Sequence, residues 1–238
     1  MSTPIGNLED ITIRAVKVLF SSEIIFCEDT RKTGQLLSKL RSLDNLEINS
    51  GNKTLNSPKL ISFFEGNEIE KIPLAVSLVQ GGANIALVSN GGTPLVSDPG
   101  FKLVREAIRQ DIKVETIPGA SAVLTALTVS GLPTDKFLFL GFLPKKPVKR
   151  QKIWQNLNCF GPAFSPTVII YESPFRLIKT LNELLDIYGD IEITIARELT
   201  KMYEEVRREK ISNSVEHFSK TKPKGEFCLL FNLFKENI

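Results

Sequence analysis

Histidine and cysteine are scarce in this chain, with one of the first and three of the second in 238 residues. His217 has no second histidine to share a metal and no cysteine near it in sequence. Zinc centres built from the usual His and Cys sets are therefore excluded, and no metal is expected. A Ser-His-Asp hydrolase would need His217 as its base; the residue reads instead as a surface or partly packed histidine. Cys27, Cys159 and Cys228 are odd in number and far apart, which argues against a disulfide framework. Long apolar runs are also missing. Phe137 to Leu143 is far too short to span a membrane. The amino terminus lacks a basic region followed by an apolar core, so no secretory signal is read. Neither G-x-G-x-x-G nor G-x-x-x-x-G-K-[ST] occurs, so dinucleotide and triphosphate binding are not signalled. Together these absences point to the cytoplasm. They leave the chemistry to carboxylates, Lys, Arg, Tyr, backbone groups or a bound cofactor.

What remains is the composition of an ordinary globular protein, 42% hydrophobic and 24% charged, long enough for one large domain or two medium ones. The net charge of +3 is too small to imply nucleic acid, but its distribution is uneven. Residues 1–144 carry 14 basic and 15 acidic side chains, and residues 145–238 carry 16 and 12. The excess begins abruptly at Lys145-Lys-Pro-Val-Lys-Arg-Gln-Lys152. Lys145, Lys146, Lys149 and Arg150 would suit a polyanion; a solvated linker fits the same residues.

Ile85 to Val88, bounded by Gly82 and Asn90-Gly91-Gly92, predicts a buried strand running into a turn. Gly91 and Gly92 allow a close backbone approach to a ligand. Asp98 is expected to cap the next helix with Pro99 in its first turn, and Phe101, Val104, Ala107 and Ile108 to form its buried face. Upstream, Asp10 is expected to cap a helix burying Ile11, Ala15, Val18 and Leu19. Ile24 to Cys27 and Lys59 to Ser62 read as strands, separated by a helix through Leu36, Leu37 and Leu40 and a polar loop from Ser42 to Pro58. A helix around Ala75 to Leu78, a strand at Val114 to Ile117 and a small-residue helix from Ala122 to Val129 complete the alternation. It predicts a mostly parallel sheet with helices on both faces. Phe137 to Leu143 closes this first domain at residue 143, with a basic linker over 144–152. The second domain, 153–238, is expected to be α/β with mixed or antiparallel pairing. Its strands are Thr167 to Tyr171, Ile191 to Ile195, Tyr203 to Ile211 and Glu226 to Phe231, and its helix after Ser173-Pro174 buries Phe175, Ile178, Leu181 and Leu185.

Four clusters follow expected strands at their carboxyl ends, where open α/β sheets bind ligands. They are Glu28-Asp29-Thr30-Arg31, Phe64-Glu65-Gly66-Asn67-Glu68, Asn90-Gly91-Gly92-Thr93-Pro94 and Pro118-Gly119-Ala120-Ser121. Each alone reads equally as a turn or a capped helix start; four on one edge point to a site.

Thr3-Pro-Ile-Gly-Asn-Leu-Glu-Asp-Ile-Thr12, Glu28-Asp-Thr-Arg31, Gly92-Thr-Pro94, Ser97-Asp-Pro-Gly100, Ser130-Gly-Leu-Pro-Thr-Asp-Lys-Phe137, Tyr171-Glu-Ser-Pro-Phe-Arg176 and Ala196-Arg-Glu-Leu-Thr-Lys201 resemble the bacterial small-subunit ribosomal RNA methyltransferases of the tetrapyrrole-methylase superfamily. The resemblance covers nearly the whole chain. It implies two α/β domains, S-adenosylmethionine held between them, a homodimer, and methylation of a cytidine ribose 2′-hydroxyl in small-subunit (16S) ribosomal RNA. Carried over, the cofactor contacts fall on Ile5, Gly92, Thr93, Val96, Ser121, Ala122, Tyr171 and Gly225. Glu28 and Asp29 are then candidate bases, Arg31 a phosphate or carboxylate partner, and Glu65 a reserve. Two features depart from the pattern. Only Met1 and Ser2 stand where an apolar strand usually precedes Thr3, which would leave neighbouring strands short of partners. Asn90-Gly91 also replaces an Asp-Ala pair, removing a carboxylate. The alternatives are a precorrin-type methylase and a catalytically impaired RNA- or ribosome-binding copy.

Overall fold

The computed structural model describes residues 1–42, 57–161 and 164–234. The expected polar loop lies mostly outside these residues. Two compact units divide the chain, Met1–Ser121 and Ala122–Ile238.

The first unit is built on three parallel strands, β1 (Ile24–Cys27), β2 (Lys59–Ser62) and β3 (Ile85–Val88), in the order β2-β1-β3. Alternation of side chains across β1 separates two cores. Ile25 and Cys27 join Val16, Leu19 and Phe20 of α1 (Ile13–Ser21) and Leu37 and Leu40 of α2 (Thr30–Arg41). Ile24 and Phe26 join Phe63, Ala75 of α3 (Glu68–Gln80) and Leu103 of α4 (Phe101–Arg109). Helices therefore cover both faces, as the alternation predicted. Caps differ from the expectation. Thr12, whose side chain accepts from the Ala15 N–H, starts α1 in place of Asp10, which falls in a short 3₁₀ turn, Leu8–Asp10. Gly100 precedes α4 in place of Asp98 and Pro99, because its φ of 124° makes the turn. A Cβ there would lie 2.6 Å from Leu87 Cδ2, so only glycine fits. Leu103 and Ala107 form the buried face of α4, while Phe101 and Ile108 are exposed.

Val114 to Ile117 is not a strand. Its one ladder-like bond, Ser2 N–H to Ile117 O at 3.0 Å, comes from the first residues of the chain. Met1 donates its amino group to Leu87 O at 2.8 Å, and Thr3 and Gly92 exchange two backbone bonds of 2.9 Å. Met1 to Thr3 thus partner part of the β3 edge. The rest borders a largely apolar cavity of about 560 Å³, lined by Ala86, Leu87, Leu103 and Val114 among others.

The second unit holds a five-stranded sheet in the order β4-β5-β8-β6-β7. Its strands are β4 (Phe137–Phe142), β5 (Thr167–Glu172), β6 (Glu192–Arg197), β7 (Glu205–Lys210) and β8 (Phe227–Phe231). β4 and β5 are parallel and the other pairs antiparallel, the mixed sheet expected. The division at 143 moves, because β4 hydrogen-bonds to β5 and so belongs to this sheet. The 144–152 linker is corrected as well. From Pro147 it is the start of α6 (Pro147–Leu157), whose Trp154 and Leu157 are buried in the core. One face of the sheet packs Val168, Ile170, Ile195 and Leu229 against α6, α7 (Leu177–Tyr188) and α8 (Ile211–Lys220). On α7, Leu177, Leu181 and Leu184 are buried, whereas Phe175 precedes the helix and is 90% exposed. α5 (Ala122–Ser130) packs against β6, β7 and β8. His217 is half-buried, its ring against Phe218 and its Nε2 3.8 Å from Glu205. Among the described residues no helix is long and apolar enough to cross a membrane, and no group of three His, Cys, Asp or Glu side chains is placed to hold a metal.

Candidate functional site

The three strands of the first unit end on one edge, and there the sequence turns polar. After β1 come Glu28 and Asp29, after β2 come Phe64 to Asn67, and after β3 come Ser89 to Thr93. The segment 118–121 reaches the same turn without a strand of its own. Thr93 Oγ1 lies 3.1 Å from Ala120 O and 2.9 Å from Ser2 Oγ.

Gly91 and Gly92 admit a close approach, but first of the chain itself. A Cβ on Gly91 would stand 3.1 Å from Pro4 O, and one on Gly92 3.3 Å from Ile5 Cγ2. Gly92 also has a φ of 83°. The structure thus brings Ile5, Gly92 and Thr93 together. Val96 follows on the loop, 38% exposed, between Leu95 and Ser97, which adopt φ of 73° and 64°. Two non-glycine residues in that region store strain, which concentrates at working loops. Ser121 is half-buried and precedes α5, and Ala122 is that helix's first residue.

The carboxylates separate by environment. Asp29 caps α2 and is gripped by Arg31, whose Nη2 and Nε lie 3.0 and 3.2 Å from its two oxygens, with the Arg31 N–H at 2.9 Å. The Arg31 hydrogen bonds hold its carboxyl down at about 2, making it a poor proton acceptor. The Arg31 side chain is largely exposed. Glu65 is exposed, and the loop around it is pinned by Asn67, which accepts from Phe64 N–H at 2.8 Å and donates to Ser62 O at 3.1 Å. Glu28 is half-buried.

Sequence reasoning cast Asp98 only as a helix cap. Freed of that task, it sits half-buried, hydrogen-bonded to the Ser89 side chain and near Glu28. Burial pushes its carboxyl up to about 6, against the Ser89 hydrogen bond and with repulsion from Glu28. The available signal was its place in Ser97-Asp-Pro-Gly100, one of the motifs of the resemblance.

Tyr171 and Gly225 lie in the second unit. Tyr171 is half-buried, its ring 4.9 Å from that of Phe139 and 5.5 Å from that of Phe142. Gly225, with φ of 93°, faces the Glu198 side chain. The basic stretch divides. Lys145, Lys146 and Lys149 are exposed, but Arg150 is buried and is removed from the polyanion-binding set. Its guanidinium pairs with Glu183 at 2.5 and 2.8 Å and donates to Pro144 O and Lys145 O at 3.0 and 2.8 Å.

Residues 2–214 match the family of tetrapyrrole (corrin/porphyrin) methylases. The chain is 41% identical over 232 residues to the ribosomal RNA small subunit methyltransferase I of Thermotoga maritima, covering 98% of this chain and 96% of that protein. It is 44% identical over 236 residues to the protein of that name from Hydrogenobaculum sp., covering 99% and 94%. The chain belongs to the tetrapyrrole methylases, in the family of ribosomal RNA small subunit methyltransferase I. The fold agrees. The solved uroporphyrin-III C-methyltransferase of Thermus thermophilus with S-adenosyl homocysteine superposes with a TM-score of 0.60 at 18% identity, over 95% of this chain and 93% of that one. Methyl transfer is the chemistry this methylase family is named for, and the glycine turn with its half-buried carboxylate stands at the strand edge where such α/β sheets bind ligands.

Proposed function

We propose that the protein is an S-adenosylmethionine-dependent methyltransferase of small-subunit ribosomal RNA, acting on the ribose 2′-hydroxyl of a cytidine. The observation that carries the chemistry is Asp98, a half-buried carboxylate beside Glu28 and one loop away from the Gly91-Gly92 turn. In this reading Ile5, Gly92, Thr93, Val96 and Ser121 hold the donor, and Ala122, Tyr171 and Gly225 keep the roles the resemblance implies. The turn suits that task, because small residues and exposed backbone at Pro118 and Gly119 leave main-chain groups accessible. When bound, S-adenosylmethionine supplies an already activated methyl group, so the chain's own work is alignment and removal of one proton.

Asp98 accepts that proton from the 2′-hydroxyl. A carboxyl near 6 is ionised at neutral pH yet more basic than an exposed aspartate, the compromise that general-base catalysis favours. Asp29 positions α2 instead, and Arg31 serves Asp29. Lys145, Lys146 and Lys149 contact RNA phosphates. A cytoplasmic homodimer completes the reading.

Titration calorimetry with S-adenosylmethionine, followed by mass spectrometry of ribosomal RNA nucleosides from cells with and without the gene, tests this. The expected results are saturable binding and loss of one 2′-O-methylcytidine in the deletion. Folded protein that binds no donor would instead support a non-catalytic copy, and an unchanged nucleoside profile would overturn the substrate.

A further inference from the structure

Three strands of the second unit, β4, β5 and β6, run the same way, so their carboxyl ends share one sheet edge. That edge carries three exposed rings: Phe142 at 57%, Phe175 at 90% and Tyr203 at 70%. Phe142 ends β4 and leans on Tyr171, and Tyr203 lies in the β6–β7 connection. Phe175 projects from a turn that is firmly built. Glu172, buried at the end of β5, takes Ser173 N–H at 2.7 Å, the Thr180 hydroxyl at 2.6 Å and Arg176 at 2.7 Å. Arg176 also donates to Leu143 O at 2.8 Å, tying this turn to the end of β4. The ring is thus held in water by a rigid mount.

Charge distinguishes the two halves of the edge. Around Tyr203 the charges are matched: Lys201 bridges Glu198 and Glu226, and Arg197 pairs with Glu205. Around Phe142 and Phe175 both arginines are consumed internally, Arg150 by Glu183 and Arg176 by Glu172. Lys145 and Lys146, three and four residues beyond Phe142, are exposed and have no ion pair among the described residues. Exposed planar rings beside unpaired cations match one occupant, a polyanion whose flat bases are free to stack. Duplex RNA hides those faces, whereas single strands present them.

We propose that Phe142 and Phe175 form a stacking platform for unpaired RNA bases, with Lys145 and Lys146 gripping the adjoining phosphates. The platform rests on the RNA-methyltransferase reading and adds to it that the substrate is engaged as a single strand through the second unit.

The test is fluorescence anisotropy of the full chain with a labelled single-stranded oligoribonucleotide and a hairpin duplex of equal length, over a salt series. Phe175→Ala is expected to weaken single-strand binding about tenfold or more, leave the duplex unaffected and keep the salt slope, while Phe175→Trp retains affinity. Lys145→Ala with Lys146→Ala is expected to flatten the slope by about 1.4. Wild-type affinity in Phe175→Ala, or equal losses for both RNAs, overturns the platform. Sedimentation separates the other occupant: a dimer that Phe175→Ala turns into a monomer, with RNA affinity intact, assigns the edge to a second copy and overturns the proposal. Donor binding and rRNA methylation by the wild type are measured alongside. If those fail, the enzymatic reading falls first; if they hold while Phe175→Ala binds normally, only the platform falls.

Discussion

In the second unit, the central strand β8 is buried at all five residues, and three helices close one face around Trp154, Leu181 and Phe231. In the first unit, three short parallel strands end together on one edge, where Glu28 and Asp98 stand half-buried near the Gly91-Gly92 turn. One unit is a filled core with Arg150, Arg176 and Lys201 held in ion pairs at its margins. The other keeps a half-buried carboxylate, Asp98, with no ion pair among the described residues. Backbone strain does not separate the two, because Glu198 and Thr200 in the second unit share the left-handed region with Leu95 and Ser97 in the first. In the proposed reading the first unit carries the proton chemistry and the second offers an exposed edge to RNA.

Substitutions in each unit sharpen that contrast. The largest effect is expected at Arg150, where the second unit is most committed. Arg150→Ala strands Glu183 and two carbonyls, and urea unfolding is expected to show a loss of about 3 kcal/mol or more. Lys149→Ala, one residue away and exposed, should change stability by less than about 0.5 kcal/mol. An Arg150→Ala protein as stable as wild type would mean that the second unit does not depend on this pair.

Next comes Asp98. Asp98→Asn is expected to lower kcat about 100-fold and to abolish the fall in rate below about pH 6, both read in a methyl-transfer assay. The same shift has a stability consequence of known sign. The folded carboxyl holds its proton up to about pH 6 and the unfolded one only to about 4, so the folded state binds more protons between these values. Stability is therefore expected to fall as pH rises through that window. Asp98→Asn should be more stable than wild type at pH 7 and level with it near pH 4, measured by urea unfolding at both. A loss at pH 7 would make Asp98 a structural cap after all.

The smallest effect is expected at Asp29. Asp29→Ala removes the α2 cap and should cost about 1 kcal/mol, with kcat within tenfold of wild type. A collapse of kcat instead would return the base to the acidic pair after β1.

Much of the fold was legible because it follows from local pattern. Apolar runs at Ile24, Ile85 and Thr167 became strands, and glycine or proline marked their ends. Errors fell where a residue's partner is remote. Hydrophobicity does not say which sheet a strand joins, so the pattern places Phe137 to Leu143 in the first unit, and pairing with Thr167 to Tyr171 puts it in the second. Lys145 to Lys152 looked like linker because Trp154 and Leu157, which anchor it, show their worth only against a core. At the site, the clusters after β1, β2 and β3 were visible as polar punctuation, but Asp29 and Asp98 could not be ranked. Their difference depends on which has an arginine and which is buried.

Composition and motif alone determined the α/β class, the glycine turn after Val88 and the family likeness, because these depend on residue identity and spacing. Only the folded chain decided that Asp98 is withdrawn from solvent, that Arg150 is a strut and that Phe175 stands in water. Proton affinity, pairing and exposure are set by neighbours distant in sequence, and distance through space is not written in order along the chain.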